Sequence, residues 1–159
     1  LFEAAGPGST YVFSPKAHEA LVRVLSGLDY SEIGVHDWYV YALARAIGLT
    51  WVIGEEPTLE YRQHSANVQG ANSGAGARDA RMAKLRNGFY RNQFILTARA
   101  ALQVGAFDAP RRIELAQILR ELEADSQWAR LRFALRYRQI RRDRLEGIKL
   151  AAARFLRVW

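Results

Sequence analysis

The sequence predicts an α/β piece followed by a mainly helical extension, with the chain as a whole predominantly α-helical. Three observations predict it. Up to residue 64, short β-type runs are interleaved with segments of helical periodicity. Residues 65–77 (SANVQGANSGAGA) are small, polar and Gly-rich and read as a linker. From Arg78 onward strand signals almost vanish and helical spacing takes over. The expected division is therefore 1–77 and 78–159.

In chain order, Tyr11-Val12-Phe13 is a short apolar run and reads as a strand. Ser14-Pro15 opens a helix: the serine hydroxyl can accept from a free amide, and proline costs nothing in the first turn. Ala17, Leu21, Val24, Leu25 and Leu28 keep helical spacing up to a stop near Gly27. A second helix starts at His36-Asp37 and runs to Gly48. Leu49 to Ile53 reads as a buried strand, residues 54–57 as a turn, and Thr58 to His64 as a second, alternating strand. Beyond the linker, Met82, Leu85, Phe89, Leu96 and Ala100 mark one helix ending near Gly105. Asp108 and Pro110 start another, with the stripe Leu115, Ile118, Leu119 and Leu122. Ser126 caps a long last segment with Trp128, Leu131 and Leu135 on one side. Ile148, Ala152, Phe155 and Trp159 extend that stripe past a break expected at Gly147.

The 159 residues carry a formal charge of +7, distributed unevenly. Residues 1–125 hold 13 basic and 14 acidic side chains, whereas 126–159 hold 10 basic and 2 acidic. A near-neutral body thus carries a basic arm. Arg130, Arg132, Arg136, Arg138, Arg141, Arg142, Arg144 and Lys149 interleave there with Trp128, Phe133, Tyr137, Phe155 and Trp159. That mixture suits the anionic surface of a bilayer, at about 1 kcal/mol per basic residue, so peripheral membrane contact through 126–159 is expected. It equally suits a stripe packed on the body or on a second subunit of a homo-oligomer. Nucleic acid ranks last, because no helix-turn-helix spacing or RNA-binding motif accompanies the charge. Cysteine is absent, which excludes disulfides, thiolate metal sites and cysteine nucleophiles. No apolar run reaches the roughly 18 residues of a transmembrane helix. Starting at Leu1 without a signal-type leader, the chain reads as cut from a longer protein.

Most catalytic signatures are missing: no P-loop, G-x-G-x-x-G, H-E-x-x-H or G-x-S-x-G occurs. His18, His36 and His64 have no metal-ligand spacing among themselves. Two adjoining segments carry the signal instead: VHDWYVYALARAIG (35–48) and LTWVIGEEPTLEYRQHSANVQG (49–70), preceded by GPGSTYVFSPKAHEAL (6–21). Together they resemble the C-terminal half of the catalytic domain in family 2 glycosyltransferases of the GT-A fold, especially bacterial rhamnosyltransferase-like members. The resemblance covers about residues 6–70 and departs at Ser65, where family members often carry glycine.

The resemblance implies a role for each matched residue. Asp37 matches the catalytic base that takes a proton from an acceptor hydroxyl attacking a nucleotide-sugar, with inversion. By position alone Asp37 could equally be a helix N-cap. His36 and Trp38 would contact the acceptor, although a tryptophan there also suits a core. Arg62 and His64 would face the donor diphosphate, with His64 as a ligand of a divalent metal (Mg²⁺ or Mn²⁺); on a strand the two share a face. Asn67 is a further loop contact. The implied partners are a nucleotide-sugar and a glycan or lipid-linked acceptor, in cell-surface polysaccharide synthesis at the cytoplasmic face of the membrane. The D-x-D motif that holds metal and donor in such domains is absent from this sequence, so the chain by itself is expected to be inert. The competing class is a non-enzymatic helical module binding a membrane surface or a protein.

Overall fold

The computed structural model describes residues 2–54, 56, 75–137 and 140–159. Among them are seven helices: α1 (Pro15–Leu25), α2 (His36–Ala46), α3 (Ala75–Arg86), α4 (Phe89–Val104), α5 (Ala109–Glu123), α6 (Gln127–Arg136) and α7 (Arg144–Phe155). Four begin at a side-chain cap that supplies an acceptor for an orphan amide. Ser14 Oγ accepts from the Ala17 amide, Asp108 from Arg111, Ser126 from Ala129 and Asp143 from Glu146. Pro15 and Pro110 occupy first-turn positions beside two of these caps.

Helix α4 lies at the centre, packed by α2, α3 and α5; α1 adds to α2, and α5, α6 and α7 follow in succession. The main core joins residues far apart in sequence: Phe2 and Ala46 meet Phe94, Leu115, Leu122, Phe133 and Trp159. Phe94 is its pivot, with ring centroids 5.0 Å from Phe2, 5.2 Å from Trp38 and 5.4 Å from Trp159. A second core cluster links Leu21, Tyr39, Leu43, Ala44 and Ala100. The expected boundary at 65–77 falls mostly outside the described residues. On either side of it, however, the chain contributes to one hydrophobic core.

Several elements differ from expectation. No strand occurs among the described residues. Residues 11–13 and 49–53, expected as strands, have no backbone ladder; the ring of Trp51 fastens them edge-on, with centroids 4.7 Å from Tyr11 and 5.8 Å from Phe13. The strand expected at 58–64 lies outside the described residues. The single helix expected up to Gly105 is two, because the chain turns at Gly88 with φ +77°, a left-handed conformation that glycine adopts without strain. Gly147 is not a break but a buried position inside α7; the interruption falls before Asp143.

The last two helices also turn the face opposite to the one their apolar pattern suggests. In α6 the buried residues are Ala129, Arg130 and Phe133, while Trp128 (70% exposed) and Leu135 face outward. In α7 the buried residues are Gly147, Ala151 and Arg154, while Ile148 and Phe155 are exposed. Arg154, 1% exposed, explains the choice: Nη2 donates to the carbonyls of Glu121, Leu122 and Ala124, and Nη1 to Trp159. The guanidinium thereby satisfies orphan carbonyls at the end of α5. Burial pulls its pKa down to about 10; Arg91 adds to this, Asp125 opposes it and Arg130 adds further, so it remains cationic at neutral pH.

Much of the basic arm is spent inside the molecule. Arg132 and Arg136 flank Glu121 at 3.4 and 3.9 Å, and Arg141 and Arg142 flank Glu3 at 3.6 and 2.6 Å. Arg130, Arg154 and Arg157 surround Asp125 at 3.1, 3.8 and 3.9 Å, and Lys149 pairs with Glu146 at 2.9 Å. Arg138 lies outside the described residues. The charge asymmetry of the sequence is thus in good part complementarity between the arm and acidic residues of the body.

Asp125 makes a pH test of that complementarity. Burial favours its neutral form, but Arg91, Arg130 and Arg157 outweigh it and hold the carboxyl below the ordinary range. A carboxyl with a lowered folded pKa contributes stability present above its unfolded value, about 3.9, and lost as pH falls through the folded value. Asp125→Asn should therefore melt below the parent at neutral pH. The difference should vanish on acidification through the folded pKa; thermal melts at both ends of that range check it.

Candidate functional site

The site is built at the N-terminus of α2. Gln93 from α4 holds the segment leading into this helix: its Oε1 accepts from the Gly34 amide at 2.9 Å, and its Nε2 donates to Glu32 O at 3.0 Å. At the other end the Ala106 amide donates to Ala46 O at 2.9 Å. Both ends of α2 are thus pinned, which fixes what its first turn presents.

The N-cap position belongs to Val35, which supplies no side-chain cap; Asp37 is the second residue inside the helix. The alternative role of Asp37 as an N-cap is thereby removed. Its carboxylate is partly buried, and Oδ1 has no hydrogen-bond partner. His36 Nε2 approaches that oxygen to 2.6 Å without hydrogen-bond alignment, while most of the His36 ring is in solvent. The helix N-terminus favours a negative charge here.

A 3₁₀ turn, Gly8–Thr10, closes over the carboxylate. Gly8 sits so close that a Cβ there would collide with Asp37 Oδ1 and His36 Nε2. Tyr11, following the turn, donates its hydroxyl proton to Asp37 O at 3.2 Å and accepts from the Ala5 amide at 3.3 Å. Burial raises the Tyr11 pKa, the Ala5 amide lowers it, and Asp37 and Tyr41 raise it, so the phenol stays a neutral donor. Nothing in the sequence reading singled out Gly8 or Tyr11 for the site; the Gly-rich 6–8 segment was the only local signal.

His36 and Asp37 are therefore brought together. Trp38, partly buried, packs its ring on Tyr90 and Phe94, at 5.6 and 5.2 Å, against the main core. Arg62, His64 and Asn67 lie outside the described residues. Among the described residues no group of three His, Asp or Glu side chains gathers that could hold a metal ion. His36 and Asp37 form a pair and not a ligand set by themselves, and His64, the expected metal ligand, lies outside the described residues.

Beside this turn lies a cavity of about 710 Å³ lined by residues 10–14 and 49–54 among others. Its walls include Val12 and Val52, apolar side chains almost fully in solvent.

A partly buried carboxylate in the first turn of a helix is suited to taking a proton from a hydroxyl, and comparison with known proteins relates the chain to a glycosyltransferase. The relative is the dTDP-rhamnosyl transferase RfbG of Shigella flexneri, 38% identical over 105 residues that make up 63% of this chain and 35% of that protein. The chain thus spans about a third of the length of the curated relative it matches. No family model matches, and no solved structure matches.

Proposed function

We propose that the chain is the acceptor side of an inverting glycosyltransferase: the closing part of a GT-A-like, family 2 domain with a helical extension. The complete protein transfers a sugar, rhamnose by analogy with the relative's name, from a nucleotide-sugar to a hydroxyl of a glycan or lipid-linked acceptor. The observation that carries this reading is Asp37, whose Oδ1 is buried, unbonded and held at the positive end of α2. In the reaction the carboxylate takes the hydroxyl proton while the acceptor oxygen forms its bond to the anomeric carbon. The bond from that carbon to the nucleoside diphosphate breaks on the opposite side, and the diphosphate leaves with the electron pair. Tyr11 and Gly8 keep the first turn of α2 in place for this step.

The GT-A assignment draws support from the two extended segments. Val12, Val52 and Ile53 are exposed along them, as apolar residues of a sheet would be before their neighbours are added. The exposed outer side chains of α6 and α7, among them Trp128, Leu135 and Leu145, together with Leu156 at the end of α7, favour peripheral contact with the cytoplasmic face of a membrane. No described helix is long and apolar enough to cross one.

The test is an assay of the complete protein with dTDP-rhamnose and a glycan acceptor, following release of dTDP. Failure to transfer any sugar from any nucleotide donor would remove the reading. This chain alone is expected to be inert, and turnover at the complete protein's rate would contradict that. Gly8→Ala is a sharper probe: the methyl must displace Asp37 and His36, so kcat should fall roughly 10²-fold, as for a misplacement near 1 Å. Unchanged kcat in a folded Gly8→Ala protein would separate Asp37 from the chemistry.

A further inference from the structure

Residues 2–11 run as a strap up to the first turn of α2, and both ends of the strap are held. At the inner end Gly8 stands against Asp37, and the Tyr11 hydroxyl bonds to Asp37 O. At the outer end, residues 2–4 are gripped by the helical extension, almost the whole chain away in sequence. Arg141 Nη1 donates to Phe2 O at 3.2 Å, and Arg142 Nη2 donates to Ala4 O. Arg142 Nε lies 2.6 Å from Glu3 Oε1, and the Arg142 backbone amide donates to the same oxygen at 3.3 Å. The Phe2 ring is sunk into the core against Phe94.

Between its ends the strap has little slack. Gly6 turns it at φ +144°, a backbone conformation that residues with a side chain rarely adopt. Thr10 closes the 3₁₀ turn twice over, its amide and its hydroxyl donating to Pro7 O at 2.9 and 2.7 Å. The Ala5 amide, next in the chain to the carbonyl that Arg142 holds, donates to the Tyr11 hydroxyl at 3.3 Å. That one hydroxyl therefore joins the anchored end of the strap to the backbone of residue 37.

We infer that Arg142 is a positioning residue for the candidate base: from the helical extension it fixes residues 3–5, through them Tyr11, and through Tyr11 the turn that presents Asp37. The role rests on the reading of Asp37 as the base; the anchoring of the strap does not. A guanidinium suits the task because it binds a carboxylate and a carbonyl at once and so fixes direction as well as distance.

Kinetics of the complete protein with a soluble acceptor test the role. Arg142→Ala should lower kcat roughly tenfold and leave KM for both substrates within about twofold, because a displaced base costs rate and not ground-state binding. Arg142→Lys keeps the charge opposite Glu3 but not the second, fixed donor, so it should recover part of the loss. The melting temperature of Arg142→Ala should fall by no more than about 4 °C, since the side chain is half exposed. Tyr11→Phe breaks the same connection one link further on, so combining it with Arg142→Ala should cost no more than the larger single change. Hydrogen exchange gives a readout independent of turnover: the Ala5 amide should exchange at least about tenfold faster in Arg142→Ala. Arg144, exposed and without an ion pair among the described residues, is the control; Arg144→Ala should leave both kcat and that exchange rate unchanged. Parental kcat in Arg142→Ala, a loss carried by KM, or full additivity with Tyr11→Phe would overturn the positioning role. Unchanged exchange at Ala5 would show that Arg142 does not hold the strap. Faster exchange with parental kcat, while Asp37→Asn is inactive, defeats the role and spares the base. Parental kcat in Asp37→Asn fails the base and the role together, and the exchange rate still decides the anchor.

Discussion

Asparagine in place of Asp37 lowers kcat for sugar transfer by the complete protein between about 10²- and 10⁴-fold, the range expected when a general base is lost. The substitution is nearly isosteric, so the contacts with Gly8 and His36 and the Tyr11 bond to the backbone of residue 37 survive. KM for both substrates should change little, because the lost interaction is made only as the proton moves. Stability should also change little. Oδ1 makes no hydrogen bond in the folded protein, so an amide there forfeits none, and only the modest attraction to the helix N-terminus disappears. The split is what discriminates. A structural carboxylate would lower the melting temperature and leave kcat, whereas a base does the reverse. A kcat within about threefold of the parent would remove Asp37 from the mechanism. His36→Gln should have a smaller effect, since most of that ring is in solvent and it holds Asp37 by one unaligned contact.

Alanine in place of Arg154 costs roughly 3–4 kcal/mol of folding stability, the largest loss expected from any single exposed-type side chain in the molecule. Two effects combine. The carbonyls of Glu121, Ala124 and Trp159 lose the Arg154 donor, while Leu122 O keeps its 2.7 Å bond from Arg91 Nε, and the buried stem leaves a cavity between α5 and α7. Part of the loss is returned, because the guanidinium itself is buried with its Nε unbonded. For a chain of this length the melting temperature should fall by roughly 10 °C, at high salt as at low, since buried groups are weakly screened. Arg154→Met keeps most of the volume and loses only the carbonyl bonds, so it should fall between parent and alanine. Arg144→Ala, in the same helix but exposed, should stay within about 0.5 kcal/mol. Equal melting temperatures for the Arg154 and Arg144 variants would show that α7 does not depend on the buried guanidinium.

Legibility in the sequence followed the range of the interaction. Ser14, Asp108 and Ser126 mark helix starts because a cap needs only an amide three residues away. The stripe Leu115, Ile118 and Leu122 was readable for a similar reason, since α5 buries its most apolar face. The site was half legible. The H-D-W pattern placed Asp37 at the start of a helix, and that is where it stands. It did not reveal that Val35 takes the capping position, that Gly8 closes on the carboxylate or that Trp38 packs against the core, because each depends on a partner segment the pattern does not contain. Strand character at 11–13 and 49–53 was read from β-branched and aromatic residues, yet a strand exists only where a second backbone meets it.

The sequence by itself determined where most helices begin, which residue heads α2, and that positive charge accumulates after residue 125. Tertiary structure alone decided which way α6 and α7 face and what the charge is for. Periodicity would have buried Ile148 and Phe155, but the free carbonyls at the end of α5 offered Arg154 more than α7's apolar face could gain. Likewise Glu3 finds Arg141 and Arg142 across nearly the whole chain. Caps and periodicity are satisfied within a turn or two and so are written locally; an arginine's acceptors can come from any segment that folding brings near, and only the packed chain names them.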